Sequence, residues 1–480
     1  MMRVTTLSRQ STSTLRYQFT RIHGFHTRLL HSPSQMQDSE RRRAVPAEWL
    51  RRIIEDDSKP PKLYAWTPEN LLTEDGLKSR TRTGRSDRDD RIYILGVGNI
   101  GRLYAMCLSN IANSPPITLV VHRKALLEHW AAEPGIVLRR HGETHVNTCF
   151  DIEWWTETPP CEGQVAEVAA GRNIGNLIIA TKATDALPQV NRIRRYLGRD
   201  STVAFAQNGM CKLWPPLGDA YVRARFPDGT SPNWVACVTT HGVTSQGPFK
   251  STHTALADAL VGPVMPGGVN RVGEEDMGSL VRLVADAPDL NARKVSRKEL
   301  WVAQLEKLVV NAIINPLTAV LRCKNGEIFV AMDDALPVVI DELLSEASET
   351  LRALISDSKS DEILLSPPVN QGEVPETSEV KSLRATREQL SERFSILRLR
   401  SMVLDVGAKV GANTSSMLQD VRAGKQTEID DFNGWLVDTA RLLDQGLQLL
   451  THEKLIALVK SQAMLTRLEL CAILLGEKRR

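Results

Sequence analysis

Residues 91–110 read RIYILGVGNIGRLYAMCLSN, and their order decides the fold. Residues 91–95 (RIYIL) are a short, mostly apolar run of the kind that forms a buried strand. The run passes directly into Gly96-Val97-Gly98-Asn99-Ile100-Gly101, and residues 102–110 then carry a helical pattern. A strand, a G-x-G-x-x-G turn and a helix, in that order, make the dinucleotide-binding fingerprint. Each glycine has a physical task in it. Gly96 permits the tight turn, Gly98 leaves room for a pyrophosphate against the backbone, and Gly101 lets the helix pack closely on the strand. The helix N-terminus then offers free N–H groups and the positive end of its dipole to the phosphates. A G-x-G-x-x-G alone is a weak signal, and an incidental glycine turn is the competing reading. The flanking strand and helix make it specific.

The next strand is expected over residues 117–121 (ITLVV), and its end bears on the cofactor. An NAD-type site places Asp or Glu about 20 residues past the glycines, to bind the ribose 2′-hydroxyl. This chain has His122, Arg123 and Lys124 there. The planar, multidentate guanidinium of Arg123 suits a 2′-phosphate, so these residues favour NADPH/NADP; a solvated basic turn is the alternative. Residues 135–147 read as a hairpin turning near Gly142. Further buried strands are expected at 177–181, ending in Lys182, at 202–206, ending in Gln207-Asn208, and at 235–240, followed by His241-Gly242-Val243. In an open α/β sheet, ligands bind beyond the carboxyl ends of the strands. Lys182, Asn208 and Val243 are therefore cofactor-cleft candidates, although each alone would serve as an ordinary loop residue.

Beyond the glycine- and proline-rich residues 262–268 the texture turns helical. Helices are expected within 274–287, 301–314, 341–356, 385–423, 427–443 and 451–475. Pro316 fits either a kink or the first position of a new helix capped by Asn315. Residues 357–378 (DSKSDEILLSPPVNQGEVPETS) carry three prolines among small and acidic residues and read as an exposed insertion. Lys307, Asn311 and Asn315 recur every four residues. Four residues advance an α-helix by about 400°, so the three side chains share one stripe. Polar groups within a run of Leu, Val, Ala and Ile are costly to bury without partners. They line either a site or an amide network that staples the helix. Residues 413–416 (Asn413-Thr414-Ser415-Ser416) and 426–430 (QTEID) also stand out. By themselves these two stretches read as a helical face and a capped helix start.

The chain has 480 residues, 42% of them hydrophobic and 24% charged, which excludes disorder throughout and provides for a sizeable core. No apolar run approaches 18 residues, so a membrane-spanning helix is not expected. Seven scattered cysteines without a C-x-x-C pair argue against a disulfide framework or a zinc site. The net charge of +3 gives no reason to expect a nucleic acid. That charge is unevenly placed. Residues 1–37 hold five arginines, eleven serines or threonines and no carboxylate. This is the composition of a mitochondrial transit peptide; a basic extension without an address, and a cytoplasmic protein, is the alternative. Residues 38–90 are expected to be a polar linker, apart from one short helix within 44–54, with the globular fold starting near Arg91.

In combination, GVGNIG (96–101), the strand end at Lys182, QNGM (207–210), THG (240–242), KLVVNAIINPLTAVLRCKNG (307–326) and NTSSMLQDVRAGKQTEIDDFNG (413–434) resemble the ketopantoate reductase (2-dehydropantoate 2-reductase) family. The resemblance spans roughly residues 90–480, apart from 357–378. It implies an α/β Rossmann-type dinucleotide-binding domain over 91–290, an all-helical C-terminal domain over 291–480, and an active site between them. It also implies NADPH-dependent reduction of 2-dehydropantoate to (R)-pantoate, a step in pantothenate and coenzyme A synthesis. On the matching positions, Lys307 is the implied proton donor and Glu428 the acid near nicotinamide and lysine. Asn311, Asn315 and Asn325 are the implied substrate-binding asparagines, and Asn413, Thr414, Ser415 and Ser416 the segment around the substrate carboxylate. Gly96 to Gly101, Arg123, Lys182, Asn208, Val243 and Glu428 are the implied cofactor contacts. The departures are the N-terminal extension, the 357–378 segment and extra length around 162–173; they leave oligomeric state open, a homodimer included. Two other readings stand: a reductase of another branched 2-oxo acid, or a non-catalytic mitochondrial scaffold on the same fold.

Overall fold

The computed structural model of the protein describes residues 48–71, 90–265, 278–365, 376–443 and 446–476. The expected leader, residues 1–37, lies outside them. Thirteen strands are present among the described residues: β1 (Tyr64–Trp66), β2 (Ile92–Leu95), β3 (Ile117–Val121), β4 (Ile136–Arg140), β5 (Glu143–Asn147), β6 (Asp151–Thr156), β7 (Asn176–Ile179), β8 (Thr202–Phe205), β9 (Asn233–Thr239), β10 (Gly242–Ser245), β11 (Lys250–Ala255), β12 (Ala259–Met265) and β13 (Ala292–Lys294). Nine make one sheet in the order β1-β6-β3-β2-β7-β8-β9-β12-β13. From β6 to β9 all neighbours are parallel. Every residue of β2, β3, β7 and β8 is buried. This explains why these runs lack polar alternation: a parallel sheet carries cover on both faces, so neither side meets water.

Register places the site. Leu95 lies opposite Val120 and Ile179, Ile179 opposite Phe205, and Phe205 opposite Ala236. The strands therefore end nearly level. The loops after them, which carry Gly96, Arg123, Lys182 and Asn208, emerge along one edge. β9 runs three residues further, to Thr239. β10, β11, β4 and β5 form a second sheet. The expected hairpin is its β4–β5 pair, which turns through His141 and Gly142, both at positive φ, as a two-residue hairpin demands.

Two expected boundaries need correction. The segment expected to be a polar linker is folded over 48–71: a helix (Glu48–Glu55), β1, and a 3-10 turn (Pro68–Leu71). β1 pairs antiparallel with β6 at the sheet edge, and Leu50, Leu63 and Ala65 are buried. Three apolar residues in a polar context are too short to show periodicity; they are held by a partner strand far along the chain. At the other end, β13 pairs with β12, so the sheet reaches Lys294, beyond the expected boundary at 290.

The helical domain is organised around Arg297–Leu321, a 25-residue helix opened by a Ser296/Glu299 capping box. The helices Leu336–Ser356, Ile396–Lys409, Ser416–Arg422, Ile429–Leu443 and Leu450–Lys460 pack on it. Its apolar face continues the core on one side of the main sheet without a break. Pro316 starts no new helix, and Asn315 caps none: the helix runs through both. A proline removes the bond to the carbonyl four residues back. Here the freed Ala312 carbonyl accepts from Asn433 Nδ2 at 2.9 Å, and Asn433 Nδ2 also meets His452 Nδ1 at 2.9 Å. The expected exposed insertion over 357–378 is also corrected for its first part. Ser358–Ser360 and Asp361–Leu364 are helical, Ile363 and Leu364 are buried, and Glu362 pairs with Arg297 at 2.7 Å. The apolar Ile-Leu-Leu within that stretch overrides its polar composition. From Glu376 the chain is helical again, and 366–375 lie outside the described residues.

Candidate active site

The glycine turn is built as its spacing requires. Gly96 has φ +101°, and a Cβ there would lie 2.7 Å from the Ala180 carbonyl carbon. A Cβ on Gly101 would lie 2.0 Å from the Gly96 oxygen. Both positions are closed to side chains by the protein itself. Gly98 differs: a Cβ would meet no protein atom within 4 Å. It precedes the helix Asn99–Ser109, whose N-terminus has no side-chain cap. Open space in front of uncapped helix N–H groups fits a pyrophosphate. Val97 and Ile100 pack against the core under β2. Asn99 donates to the Val243 carbonyl at 3.3 Å and accepts from Ser251 Oγ at 3.2 Å, so the Val243 strand is brought to the turn. Arg102, which sequence reasoning passes over, secures that junction. Its buried guanidinium donates to the carbonyls of Gly98 (3.1 Å), Gly247 (2.8 Å) and Lys250 (2.5 Å).

Arg123 follows β3 and opens the helix Lys124–Ala132. It is exposed at the sheet edge with no carboxylate in its immediate sequence, which leaves its guanidinium available to an anion.

Lys307 sits on the long helix where that helix faces the strand ends. Its Nζ donates to Asn208 Oδ1 at 2.8 Å and to the Thr239 carbonyl at 2.6 Å. The extra length of β9 is what brings that carbonyl within reach. Burial pushes the ammonium down to about 8, against an opposing pull from Glu428. The amine thus holds its proton at neutral pH yet can give it up. Asn311, one turn along, is half-buried, and its amide has no hydrogen-bond partner among the described residues. Asn315 is buried and donates to Ser416 Oγ at 3.4 Å. The stripe is therefore not a closed amide network.

Asn325 is joined to the 413–416 segment through its backbone N–H, which donates to the Asn413 carbonyl at 3.0 Å. Its side-chain Oδ1 is buried without a partner. Thr414 and the exposed Ser416 flank Ser415. Ser415 differs from the expectation of a substrate contact. Its hydroxyl caps the helix Ser416–Arg422 by accepting from Leu418 N at 3.1 Å, and it lies 2.7 Å from Thr318 Oγ1. Its hydroxyl thus helps to build the segment itself.

Lys182 and Glu428 join the two domains. Lys182 Nζ pairs with Asp420 at 2.8 Å and donates to the Gln426 carbonyl, an engagement with protein that its expectation as a cofactor contact does not include. Glu428 is buried and accepts from Ala183 N at 3.4 Å, at the start of the helix Ala183–Ile193. Burial raises its carboxyl to about 7, partly offset by Lys182. Sequence reasoning also misses Thr239, Asp420 and Asp431. Thr239 acts through its backbone, which leaves no residue signature. The two aspartates lie inside the 413–434 stretch, where their role depends on which loop faces them. Among the described residues no cluster of side chains could hold a metal ion, and no helix is long and apolar enough to cross a membrane.

Known proteins match this architecture along most of the chain. Residues 92–266 match the family model "Ketopantoate reductase PanE/ApbA", and 299–463 match "Ketopantoate reductase PanE/ApbA C terminal". The "Ketoisovalerate reductase BEA2" of Gibberella fujikuroi is 44% identical over 449 residues, covering 89% of this chain and 98% of its own. The ketoisovalerate reductase of Beauveria bassiana is 41% identical over 455 residues, covering 89% and 98%. A Schizosaccharomyces pombe protein named "Probable 2-dehydropantoate 2-reductase" is 28% identical over 394 residues, covering 79% and 98%. Among solved structures, D-mandelate dehydrogenase with NADH and anilino(oxo)acetate superposes with a TM-score of 0.54 at 15% identity, over 78% of this chain and 97% of that one. With its Rossmann-type sheet, its helical second domain and Lys307 set between them, the chain belongs to the ketopantoate reductase family of oxidoreductases.

Proposed function

We propose that the protein is an NADPH-dependent reductase of a branched 2-oxo acid, with ketoisovalerate as its substrate. The observation that carries the reaction class is the Lys307 ammonium, buried at the carboxyl edge of the sheet on Asn208 and Thr239 and depressed to about 8. When bound, the nicotinamide supplies hydride to the C2 carbonyl carbon. Lys307 stabilises the charge developing on the carbonyl oxygen and delivers the proton that completes the alcohol. Asn208 and the Thr239 carbonyl hold the amine in place by accepting two of its three N–H bonds, which leaves the third for substrate. Asn311, Asn315 and Ser416 offer neutral polar groups to the substrate's oxygens. Arg123, without a neighbouring carboxylate, supports NADPH over NADH.

The substrate is the point on which relatives and motifs differ. The motifs alone point to 2-dehydropantoate. Three relatives above 40% identity, each matched over nearly its whole length, are named ketoisovalerate reductases, whereas those named for 2-dehydropantoate stand at 24–28%. This supports ketoisovalerate first. The second reading, 2-dehydropantoate reduction to (R)-pantoate, rests on Asn325. A buried, unpartnered Oδ1 suits a substrate that carries an additional hydroxyl, because an unmet buried acceptor costs about 1–3 kcal/mol.

NADPH oxidation measured with each acid decides between them. A kcat/KM for ketoisovalerate about tenfold or more above that for ketopantoate supports the first reading, and the reverse ratio supports the second. Turnover of neither would remove both.

A further inference from the structure

Asp431 lies one turn beyond Glu428 on the helix Ile429–Leu443, and it is buried. An unpaired buried carboxylate is costly, and this one has partners on two separate loops of the Rossmann-type domain. Its Oδ2 accepts from Thr184 Oγ1 at 2.5 Å, in the first turn of Ala183–Ile193. Its Oδ1 pairs with Lys212 Nζ at 3.4 Å, in the loop after β8. The Asp431 carbonyl also lies against Gly209, where a Cβ would come within 3.1 Å of it. Gly209 has φ +78° and follows Asn208, the residue that holds Lys307. Asp431 thus touches the loop that carries Lys182 and the loop that carries Asn208, while sitting one turn from Glu428.

We infer that Asp431 is a positioning residue for the reductase site: it fastens the loops after β7 and β8 to the helical domain, and it sets a second buried carboxylate beside Glu428, the two meeting the consecutive residues Ala183 and Thr184. The functional consequence rests on the reductase reading above; the geometry does not. Glu428 is faced by Lys182 at the start of Ala183–Ile193, by Lys307 from the long helix, by Asp420 from Ser416–Arg422 and by Asp431 on the helix that follows it. Asp430, next in sequence, is turned to Lys460 at 2.7 Å. Of these, Asp431 and Asp420 oppose ionisation of Glu428 and Lys182 favours it. Asp420 is engaged by Lys182, whereas Asp431 is engaged by Lys212 and Thr184.

Infrared difference spectra across a pH titration read Glu428 directly. The reference is the protonated-carboxyl band present in the wild-type protein and absent from Glu428→Gln. Asp431→Asn keeps an acceptor for Thr184 and removes the charge. It is expected to lower the midpoint of that band by about half a pH unit or more. Lys212→Met leaves the charge and removes its counter-ion, and is expected to move the midpoint upward. In turnover, Asp431→Asn is expected to lower kcat about tenfold while both KM values stay within about twofold. Midpoints that do not move in either variant would overturn the inference, whatever the activity. A wild-type protein that titrates as described yet turns over no 2-oxo acid would sink the reductase reading and leave the Asp431–Glu428 coupling standing.

Discussion

At the scale of single residues, the site turns on how one ammonium is held. Lys307 is displaced from its ordinary 10.5 to about 8 by burial, so its proton-donating form is complete at neutral pH and is lost as pH rises through about 8. Reduction measured as kcat/KM should therefore hold level toward neutrality and fall above about pH 8. Lys307→Ala should lower kcat by about 10²- to 10⁴-fold with little change in cofactor KM. A flat profile to pH 10 in the wild-type enzyme would remove Lys307 as the donor. Arg123 bears on a different quantity. Arg123→Ala should raise the NADPH KM by about ten- to a hundredfold, the effect of losing a charge-assisted pair, and leave the NADH KM nearly unchanged. An equal rise for both cofactors would show that Arg123 does not read the 2′-phosphate.

At the scale of elements, two junctions depend on polar groups that replace or lock backbone contacts. Pro316 would cost the long helix a hydrogen bond in the turn that presents Asn311 and Asn315, and Asn433 restores it through the Ala312 carbonyl. Asn433→Leu should destabilise the protein by about 1–3 kcal/mol, since it strands a buried carbonyl; urea unfolding measures this. The other junction is between the two sheets. Ala257 N donates to His241 Nδ1, so His253 Nε2 is the donor across the 2.9 Å contact between the rings. Arg140 Nε donates to His253 Nδ1 at 3.0 Å, and His241 Nε2 faces the Leu290 carbonyl at 2.9 Å. Both rings are neutral in this arrangement. Burial and the Arg140 charge lower His253 to about 4 from an ordinary 6.5. The unfolded chain then binds more protons than the folded one between these values. The stability contributed is full above about pH 6.5 and is lost as pH falls toward 4. His253→Gln should flatten the fall in unfolding free energy over that window. An unchanged slope would show that other groups carry it.

Many of these features are legible in the amino-acid sequence. Runs such as IYIL and NLII betray buried parallel strands, and the glycine spacing betrays the turn. The four-residue recurrence of Lys307, Asn311 and Asn315 betrays a polar stripe on one long helix. What stays hidden has physical causes. β1 is three residues long. Thr239 contributes a backbone carbonyl that any residue would supply. Asp431 reads as one more acid at a helix start until Thr184 and Lys212 are seen opposite it. The cap that Ser415 places on Leu418 N depends on where the helix starts, which the run of Ser and Thr does not mark.

At the scale of the whole molecule, two departures from the family pattern turn out to be one. The N-terminal segment and the extra residues around 162–173 pack on each other. Ala65 N donates to the Ala166 carbonyl, Val168 N to the Leu63 carbonyl, and Asn70 Nδ2 to the carbonyls of Glu162 and Gln164. Tyr196 Oη accepts from Leu63 N at 2.7 Å and binds Glu167 at 3.1 Å. Deleting residues 1–47 should leave the melting temperature within about 2 °C. Deleting 1–71 should lower it by more than about 4 °C, because it removes an edge strand and several buried side chains. Equal melting temperatures would mean that the edge strand contributes nothing. A fluorescent fusion with and without residues 1–37 tests the proposed mitochondrial address, and the same cytosolic signal from both would refute it.

The antiparallel pairing of β1 with β6 has a consequence for biosynthesis. Tyr64 meets Thr156, so the first strand of the described residues to leave the ribosome waits for a partner made roughly 90 residues later. At about 5–20 residues per second, that interval is about 5–20 seconds. Throughout it the sheet margin is unclosed and the Tyr-Ala-Trp strand is open to wrong pairings. The nascent chain should therefore stay open to mispairing at this edge at least until residue 156 has emerged.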